Sequence, residues 1–308
     1  MKALKTGRML PHPIPYQGSK RALTHTILRY FPTERVRLFE PFAGSAAVSL
    51  AAVANGLVDK VVLNDANVPL MKLWERIIDT PGVVASHYKR LWTTQLGDER
   101  RYYDRVRDRF NKSHNPDLLL YLLARCVKAS VRYNSNGEFN QSPDNRRRGA
   151  KPETLANHIK GASQLLRGIT TVRHGDFREA LVDATPEDII YMDPPYQGVC
   201  GARDSRYSAG VFLGDFVDAL RRMNSQHLCY LVSYDGRTGE KRHGTVLPSE
   251  LGLTHIEVAA GVSSQGTLLG REVETVESIY VSPALMKRLG PDIARKANRL
   301  EPTQCTLF

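Results

Sequence analysis

The tetrapeptide Asp193-Pro194-Pro195-Tyr196 directly follows an apolar run, Asp188 to Met192, that is typical of a buried strand. Two prolines end a strand ladder, so the Asp193 carboxylate and the Pro194 carbonyl remain as acceptors at the strand end. Two such acceptors can hold the exocyclic amine of a nucleobase and oppose delocalisation of its lone pair. Tyr196 offers a face on which an extruded base can stack. The alternative is a simple Pro-Pro turn with Tyr196 packed nearby.

A glycine loop, Glu40 to Ser45, lies between an apolar run that ends at Phe39 and an alanine-rich helical stretch. Gly44 permits close approach of the backbone to a ligand, and Phe42 could cover an apolar ring. Asp65 ends the next apolar run about twenty positions later, a spacing that suits the ribose hydroxyls of a nucleotide-like cofactor. An ordinary strand–helix turn and a helix cap at Asp65 are the alternatives.

The segment Tyr16-Gln17-Gly18-Ser19-Lys20 precedes the first strand, and prolines at 11, 13 and 15 make its approach extended. Lys20 could bind a carboxylate, and Tyr16 could pack on a cofactor. The alternative is that Ser19 caps a helix from Lys20 to Tyr30.

These residues must be positioned by a sheet, and the apolar runs indicate a parallel, doubly wound α/β fold. In such sheets ligands bind outside the carboxyl ends of the strands, where the loops 40–45 and 64–67 lie. The predicted strands are Val36 to Phe39, Val61 to Leu63, Thr170 to Arg173, Asp188 to Met192, Leu228 to Ser233, Thr254 to Ala259 and Glu277 to Val281.

A mostly helical, basic insertion interrupts the predicted sheet over roughly 71–168. Helical patterns run from 69 to 127 and from Pro152 to Leu166. Asn136-Gly137 predicts a tight hairpin turn, and the run from Arg146 to Lys151 an exposed basic loop. The net charge is +11, and the surplus is concentrated in residues 1–33, 98–167 and 287–301. Clustered positive charge favours a polyanionic partner such as nucleic acid.

Length and composition set wider bounds. With 308 residues, of which 42% are hydrophobic, the chain can form one large domain or two moderate ones. The longest apolar stretch is too short to cross a bilayer, and no signal core follows Met1, so we expect a cytoplasmic protein. Four scattered cysteines argue against a disulfide framework or a zinc ribbon.

Taken together, the motifs resemble those of the Dam-like, D12 class of adenine-specific DNA methyltransferases, in the order of that family. The aromatic-x-G-G-K, E-P-F-x-G-x-G, D-x-N, R-x-N-x-x-G-E-F-N and D-P-P-Y segments correspond to Tyr16–Lys20, Glu40–Ala46, Asp65–Asn67, Arg132–Asn140 and Asp193–Tyr196. Three positions depart from the pattern: Tyr16 replaces a tryptophan, and Ser19 and Ala46 replace glycines. A methyl group at Ala46 is expected to be tolerated if that position is helical.

The resemblance implies a Rossmann-like sheet that uses S-adenosylmethionine and no metal. It places Tyr16, Lys20, Asp65 and Asp193 at the cofactor, and the hairpin against DNA. The implied reaction is methylation of N6 of a flipped adenine in duplex DNA, by an enzyme of a restriction-modification system, an orphan or a phage-borne one. The expected parts are a catalytic domain of residues 1–70 and 169–290, a target-recognition insert of residues 71–168 and a basic tail of residues 291–308.

The DNA-facing side chains follow from the hairpin and the basic loop. Arg132, Asn134 and Asn136 suit the edges of guanine or adenine. The exposed cations suit phosphates instead; they are Arg146, Arg147, Arg148 and Lys151. Three other functions stay open: methylation of RNA, methylation of cytosine N4, and DNA binding without catalysis.

The last five residues, Gln304-Cys305-Thr306-Leu307-Phe308, are similar to the short peptides with which bacterial proteins dock onto the β sliding clamp. Gln304 would fill a polar subsite, and Leu307 and Phe308 an apolar pocket. The alternative is that Leu307 and Phe308 fold back onto the core or belong to an unstructured end.

Overall fold

One sheet organises the computed structural model, which describes residues 10–195, 212–239, 241–262 and 274–291. Its described strands follow the order β3-β2-β1-β4-β5-β8-β7, and β6 pairs with β5. The bounds are β1 Val36–Glu40, β2 Val58–Asp65, β3 Thr170–His174, β4 Ile189–Met192, β5 Cys229–Thr238, β6 Lys241–His243, β7 Thr254–Val262 and β8 Glu274–Val281. The order 3-2-1-4-5 is that of a doubly wound α/β sheet, so the predicted fold class is confirmed.

The direction of β8 differs from the expected all-parallel sheet. Strands β1 to β5 pair in parallel, whereas β8 runs antiparallel to both β5 and β7. Parallel neighbours need a crossover of a dozen residues or more, and the segment between β7 and β8 is shorter than that. Successive strands with so short a connection pair antiparallel.

Ten described α-helices surround the sheet, and five of them carry proline in the first turn, where no backbone N–H is needed. The helices are α1 Thr24–Leu28, α2 Ala47–Ala54, α3 Val68–Asp79, α4 Pro81–Thr94, α5 Glu99–Ser113, α6 Pro116–Arg125, α7 Pro152–Leu166, α8 Phe177–Ala180, α9 Leu213–Ser225 and α10 Pro283–Leu289. No helix in the described ranges combines the length and the apolar character that spanning a membrane requires.

The predicted helix from Lys20 to Tyr30 is wrong in form. A 3₁₀ turn covers Lys20–Leu23, and α1 ends at Leu28. Ser19 precedes the turn but makes no capping hydrogen bond with its side chain. Its hydroxyl accepts a hydrogen bond from Ser45 instead.

The helices α3 to α7 lie between β2 and β3 in the chain, as the helical patterns predicted. They share their core with the sheet: Leu38 of β1, Trp74 of α3 and Leu120 of α6 are fully buried in one continuous apolar cluster. The division expected near residue 70 falls inside α3. The insertion is therefore continuous with the sheet in its packing.

The predicted hairpin is present in a minimal form. Tyr133 and Phe139 form an isolated antiparallel bridge, and Asn134 and Glu138 are joined through their backbones at 2.9 Å. Gly137 lies in the turn with φ +75°, a conformation that glycine adopts without strain. Phe139 is buried against Phe110 of α5, so the turn is anchored on the helical insertion.

Candidate active site

The carboxyl ends of β1, β2 and β4 border a cleft of about 570 Å³. All the predicted cofactor residues line it, together with both prolines of the tetrapeptide; they are Tyr16, Lys20, Phe42, Gly44, Asp65, Asp193, Pro194 and Pro195. Tyr196 lies outside the described residues. The topology thus brings together four motifs that are far apart in the sequence.

The loop after β1 is held by hydrogen bonds on both sides of Gly44. Its N–H donates to the Asp65 carboxylate at 3.1 Å, and its carbonyl accepts from the Trp74 indole at 2.9 Å. Gly44 has φ +46°, and a Cβ at this position would lie 3.0 Å from the Tyr16 ring. The position therefore favours glycine, because a side chain here would combine a left-handed backbone with close contact to the Tyr16 ring.

Ala46 corrects the expectation that this position is helical. It has φ +48° and ψ +36°, the left-handed conformation, and it precedes the first residue of α2. A Cβ in this conformation lies too close to the following carbonyl, which costs roughly 1–2 kcal/mol. The glycine of the family pattern suits the geometry, and this chain carries alanine under strain.

Asn64 joins three strand ends and was not anticipated from the sequence. Its side-chain amide donates to the carbonyls of Pro41 and Gly175, both at 3.1 Å. Its backbone carbonyl accepts from the Ala43 N–H at 2.8 Å. Because Asn64 is buried, these bonds are shielded from water. They fix the cleft edges that follow β1 and β3.

Asp65 does not cap α3. The cap is Asn67, whose side chain accepts from the Leu70 N–H at 3.2 Å. Asp65 accepts from the N–H groups of Gly44 and Asn67, and it remains partly exposed to the cleft. Burial raises the pKa of Asp65, and the two N–H donors oppose that rise. Its carboxylate is thus oriented by the backbone and still open to a ligand.

Lys20 and Asp193 form a buried ion pair. The Lys20 ammonium lies 2.8 Å from Oδ1 and 2.9 Å from Oδ2 of Asp193, and 3.7 Å from Oε2 of Glu277 on β8. Burial lowers the pKa of Lys20, but the two carboxylates outweigh it and raise that pKa above its ordinary value. Burial raises the pKa of Asp193, opposed by Lys20. Sequence reasoning expected a carboxylate at Lys20, and the structure supplies that of Asp193.

Glu40, at the end of β1, is a further buried carboxyl of the cleft, and the sequence analysis did not predict its role. It accepts from the backbone N–H of Ser49 at 3.0 Å and from the Ser49 hydroxyl. Burial raises the pKa of Glu40 to about 8, although the Ser49 donors act in the opposite direction. Burial thus favours the protonated form of Glu40.

An aromatic wall closes one side of the cleft. Phe42 contacts Phe177, with ring centroids 5.1 Å apart, and Phe216 at 6.4 Å. Asp176 and Phe177 also line the cleft and were missed. The available signal was an acidic and aromatic pair three residues after the predicted strand at 170–173, because that strand ends at the same sheet edge.

The side chain of Asn134 is engaged within the turn. Its Oδ1 accepts from the N–H groups of Asn136 at 3.0 Å and Glu138 at 2.9 Å, and its Nδ2 donates to the Glu138 carboxylate at 2.9 Å. Asn136 and Arg132 are both exposed. Of the three predicted base-reading residues, Asn134 shapes the turn that presents the other two.

The predicted basic loop is exposed but tied down. Arg146 and Arg147 flank the buried Asp144, and Arg148 pairs with Glu99 of α5 at 3.0 Å. The Arg146 N–H, helped by the Arg147 side chain, lowers the pKa of Asp144 to about 2. The guanidinium groups still face solvent, and the exposed Lys151 follows at the start of α7.

The turn and the loop that follows β2 are directly connected. The Tyr133 hydroxyl lies 3.4 Å from Oδ1 of Asn67, the residue that caps α3 and donates its N–H to Asp65. Asn111 of α5 holds the other side of the turn by bonding both the N–H and the carbonyl of Phe139. The two predicted binding regions therefore share a border.

Relatives with similar sequences are DNA adenine methylases. The DNA N-6-adenine-methyltransferase of Escherichia phage P1 is 30% identical over 190 residues, 59% of this chain and 23% of that protein. The retron Ec67 DNA adenine methylase of Escherichia coli is 25% identical over 232 residues, 73% of each chain. The DNA adenine methylase of Haemophilus influenzae is 27% identical over 187 residues, 59% of this chain and 63% of that protein. The chain thus spans less than two thirds of two of these three relatives.

The sequence pattern of the D12 class N6 adenine-specific DNA methyltransferases matches residues 16–215. That range is more than half of the chain, and it contains the Tyr16–Lys20 segment, the glycine loop, Asp65, the turn and the tetrapeptide. Four of these segments also line the cleft. The chain therefore belongs to the D12 class N6 adenine-specific DNA methyltransferase family.

Proposed function

We propose that this protein transfers a methyl group from S-adenosylmethionine to N6 of an adenine that is flipped out of duplex DNA. The observation that carries the proposal is the position of Asp193: its carboxylate ends β4 inside the same cleft that Asp65 and Gly44 border. Family membership and the names of the relatives support the same reaction.

The cleft residues fit S-adenosylmethionine. Its volume of about 570 Å³ is ample for a ligand of that size. The Asp65 carboxylate would accept hydrogen bonds from the ribose hydroxyls. Gly44 would leave space that a Cβ would fill. Phe42 and Tyr16 would pack on the apolar parts of the cofactor. When bound, the cofactor supplies an electrophilic methyl group on a sulfonium centre.

The protein's own groups would act on the target amine. The Asp193 carboxylate and the Pro194 carbonyl accept hydrogen bonds from its two N–H groups, which directs the nitrogen lone pair toward the cofactor side. Lys20 opposes the rise that burial causes in the pKa of Asp193, because the ion pair favours the charged carboxylate. We propose that the flipped base stacks on Tyr196, because Tyr196 is the aromatic residue of the tetrapeptide.

We propose that DNA lies across the turn and the basic loop of the 71–168 insert. Arg132 and Asn136 would reach base edges, Asn134 would hold the turn in shape, and the exposed cations would contact phosphates; these are Arg146, Arg147, Arg148 and Lys151. The catalytic part would be residues 1–70 and 169–290, with 291–308 as a basic tail.

Two finer proposals rest on the sequence alone. The protein would act at the nucleoid in the cytoplasm of a bacterium or of a phage-infected cell. Gln304 to Phe308, outside the described residues, would dock onto the β sliding clamp. A pull-down of purified clamp by the full chain and by a version without residues 304–308 tests the docking, and equal retention by both would refute it.

The reaction is tested with purified protein, radiolabelled S-adenosylmethionine and three acceptors: duplex DNA, single-stranded DNA and RNA. Digestion of the product to nucleosides separates N6-methyladenine from N4-methylcytosine. We expect label on adenine of duplex DNA, and a loss of at least about 100-fold with Asp193→Asn. Label on cytosine or on RNA, or folded protein that binds DNA without transferring label, would refute the proposed reaction.

A further inference from the structure

Lys20 lies between two carboxylates that come from different strands. Asp193 follows β4, and Glu277 lies on β8, with β5 between them in the sheet. The ammonium contacts both oxygens of Asp193, at 2.8 and 2.9 Å, and stands 3.7 Å from Oε2 of Glu277. Lys20 is 8% exposed, so these charges act on one another with little screening by water.

This arrangement sets a competition at Asp193. A carboxylate accepts with the lone pairs of two oxygens, and the ammonium lies within hydrogen-bonding distance of both. The target amine, in the proposed function, must donate to the same carboxylate. Removing the ammonium altogether would leave a buried charge uncompensated, which is strongly unfavourable. The ammonium therefore needs a second acceptor close by.

Glu277 is held within reach by the backbone of β5. Gly236 pairs with Glu277 in the β5–β8 ladder, at the register shift that follows Ser233. A Cβ on Gly236 would lie 2.6 Å from the carbonyl oxygen of Val276. No other residue fits there without moving β8, so the position of Glu277 beside Lys20 is built into the sheet.

We propose that Glu277 is a positioning residue for methyl transfer: it receives the Lys20 ammonium when the target amine takes Asp193. The inference rests on the proposed function. A displacement of about 1 Å brings the ammonium from 3.7 Å to hydrogen-bonding distance of Glu277. Lys20 stays paired throughout, and Asp193 gains a free acceptor site.

Glu277→Gln keeps the shape of the side chain and removes its charge. Lys20 should then stay on Asp193, and the single-turnover rate of methyl transfer should fall about tenfold, while the Kd values for S-adenosylmethionine and DNA change less than about twofold. Glu277→Asp keeps the charge on a shorter side chain. Its rate of methyl transfer should lie between that of the wild type and that of Glu277→Gln. Glu257→Gln on the neighbouring strand β7 is the control, because Glu257 pairs with Arg237; its rate should equal that of the wild type.

A double-mutant cycle with Lys20→Met separates this role from a structural one. Because Glu277 acts through Lys20, Glu277→Gln should have no further effect on the rate in the Lys20→Met background. Wild-type rates for both Glu277 variants, or the same loss in both backgrounds, would overturn the inference while leaving the proposed function standing. A wild-type protein that methylates no adenine would overturn the proposed function itself.

Discussion

The Ser45 hydroxyl donates a hydrogen bond to the Ser19 hydroxyl over 2.7 Å. The bond joins the segment before the first strand to the loop that follows it, at the edge of the cleft. Ser19 stands where the family pattern has a second glycine, so a chain with glycine cannot make this contact. The serine thus replaces backbone freedom with a hydrogen bond between two segments that line the cleft.

Ser19→Ala should lower the free energy of unfolding by about 1 kcal/mol, because the buried Ser45 hydroxyl loses its acceptor. Urea unfolding measures the change. In a Ser45→Ala background the effect of Ser19→Ala should largely vanish. Additive losses in the double variant would show that the two hydroxyls do not act as a pair.

Asp65→Ala should weaken S-adenosylmethionine binding by about 1–3 kcal/mol, since it removes an acceptor for the ribose. Calorimetry gives the affinity, and DNA binding should change less. Asn67→Ala is the matched control: it removes the cap of α3 and should cost about 1 kcal/mol of stability with a smaller effect on cofactor affinity. Unchanged cofactor affinity in Asp65→Ala would contradict the prediction and would mean that Asp65 only holds the backbone of Gly44 and Asn67.

Ala46→Gly should leave the free energy of unfolding nearly unchanged. Loss of a buried methyl group costs about 0.8 kcal/mol, and Gly adds about 0.5–1 kcal/mol of unfolded-state entropy, but release of the left-handed strain returns roughly 1–2 kcal/mol. Ala51→Gly, equally buried but in right-handed helix α2, should lose about 1.5 kcal/mol. Equal losses in chemical denaturation would mean that Ala46 is unstrained.

Replacing Arg146, Arg147 and Arg148 with alanine should reduce the slope of log K against log salt concentration for duplex DNA by up to about 0.9 per lost phosphate contact. Affinity should fall for specific and non-specific DNA alike. Arg221→Ala is the control, because Arg221 is also an exposed arginine, but it lies on α9 and pairs with Asp218 and Glu250. A salt slope equal to that of the wild type would assign the loop no phosphate contact.

Stability should fall as pH rises because of Glu40. Its pKa is about 8 in the folded protein and 4.5 as the ordinary value, so between these pH values the folded state holds the extra proton. The free energy of unfolding should therefore decrease by up to about 1.4 kcal/mol per pH unit in this window. Glu40→Gln should abolish that slope in urea unfolding at pH 5, 6.5 and 8.

Glu34→Gln serves as the control for that experiment. The Glu34 backbone N–H and Arg288 hold the pKa of Glu34 below 4.5, so its contribution is lost only at more acidic pH. Its pH curve should run parallel to that of the wild type between pH 5 and 8. A Glu40→Gln curve that also ran parallel would mean that Glu40 is ionised in the folded protein.

The local motifs were accessible to sequence reasoning because each depends on one short segment. The turn at Asn136-Gly137 could be predicted from the conformational freedom of glycine. The end of β4 before Asp193 could be predicted from the two prolines that follow. The position of Ala46 was expected to be helical and is left-handed, because a residue that precedes a helix resembles helix in sequence alone.

The remaining features depend on residues that meet only in the folded chain. The amide of Asn64 bridges carbonyls from two other loops, and nothing in its own strand signals that role. Glu277 reaches Lys20 only because β8 is inserted antiparallel beside β5, against the all-parallel expectation. Strand order had to be known before either contact could be inferred.

The core shared by Leu38, Trp74 and Leu120 limits how new target specificities can arise in such a protein. An insertion with its own core can be exchanged between relatives as a unit. Transplanting α3 to α7 would instead remove side chains that support the sheet beneath the cleft. The exposed side chains of the turn and of the arginine loop can vary without that penalty. Divergence would therefore proceed by point substitutions in the turn and in the basic loop, and engineering of altered recognition should begin there.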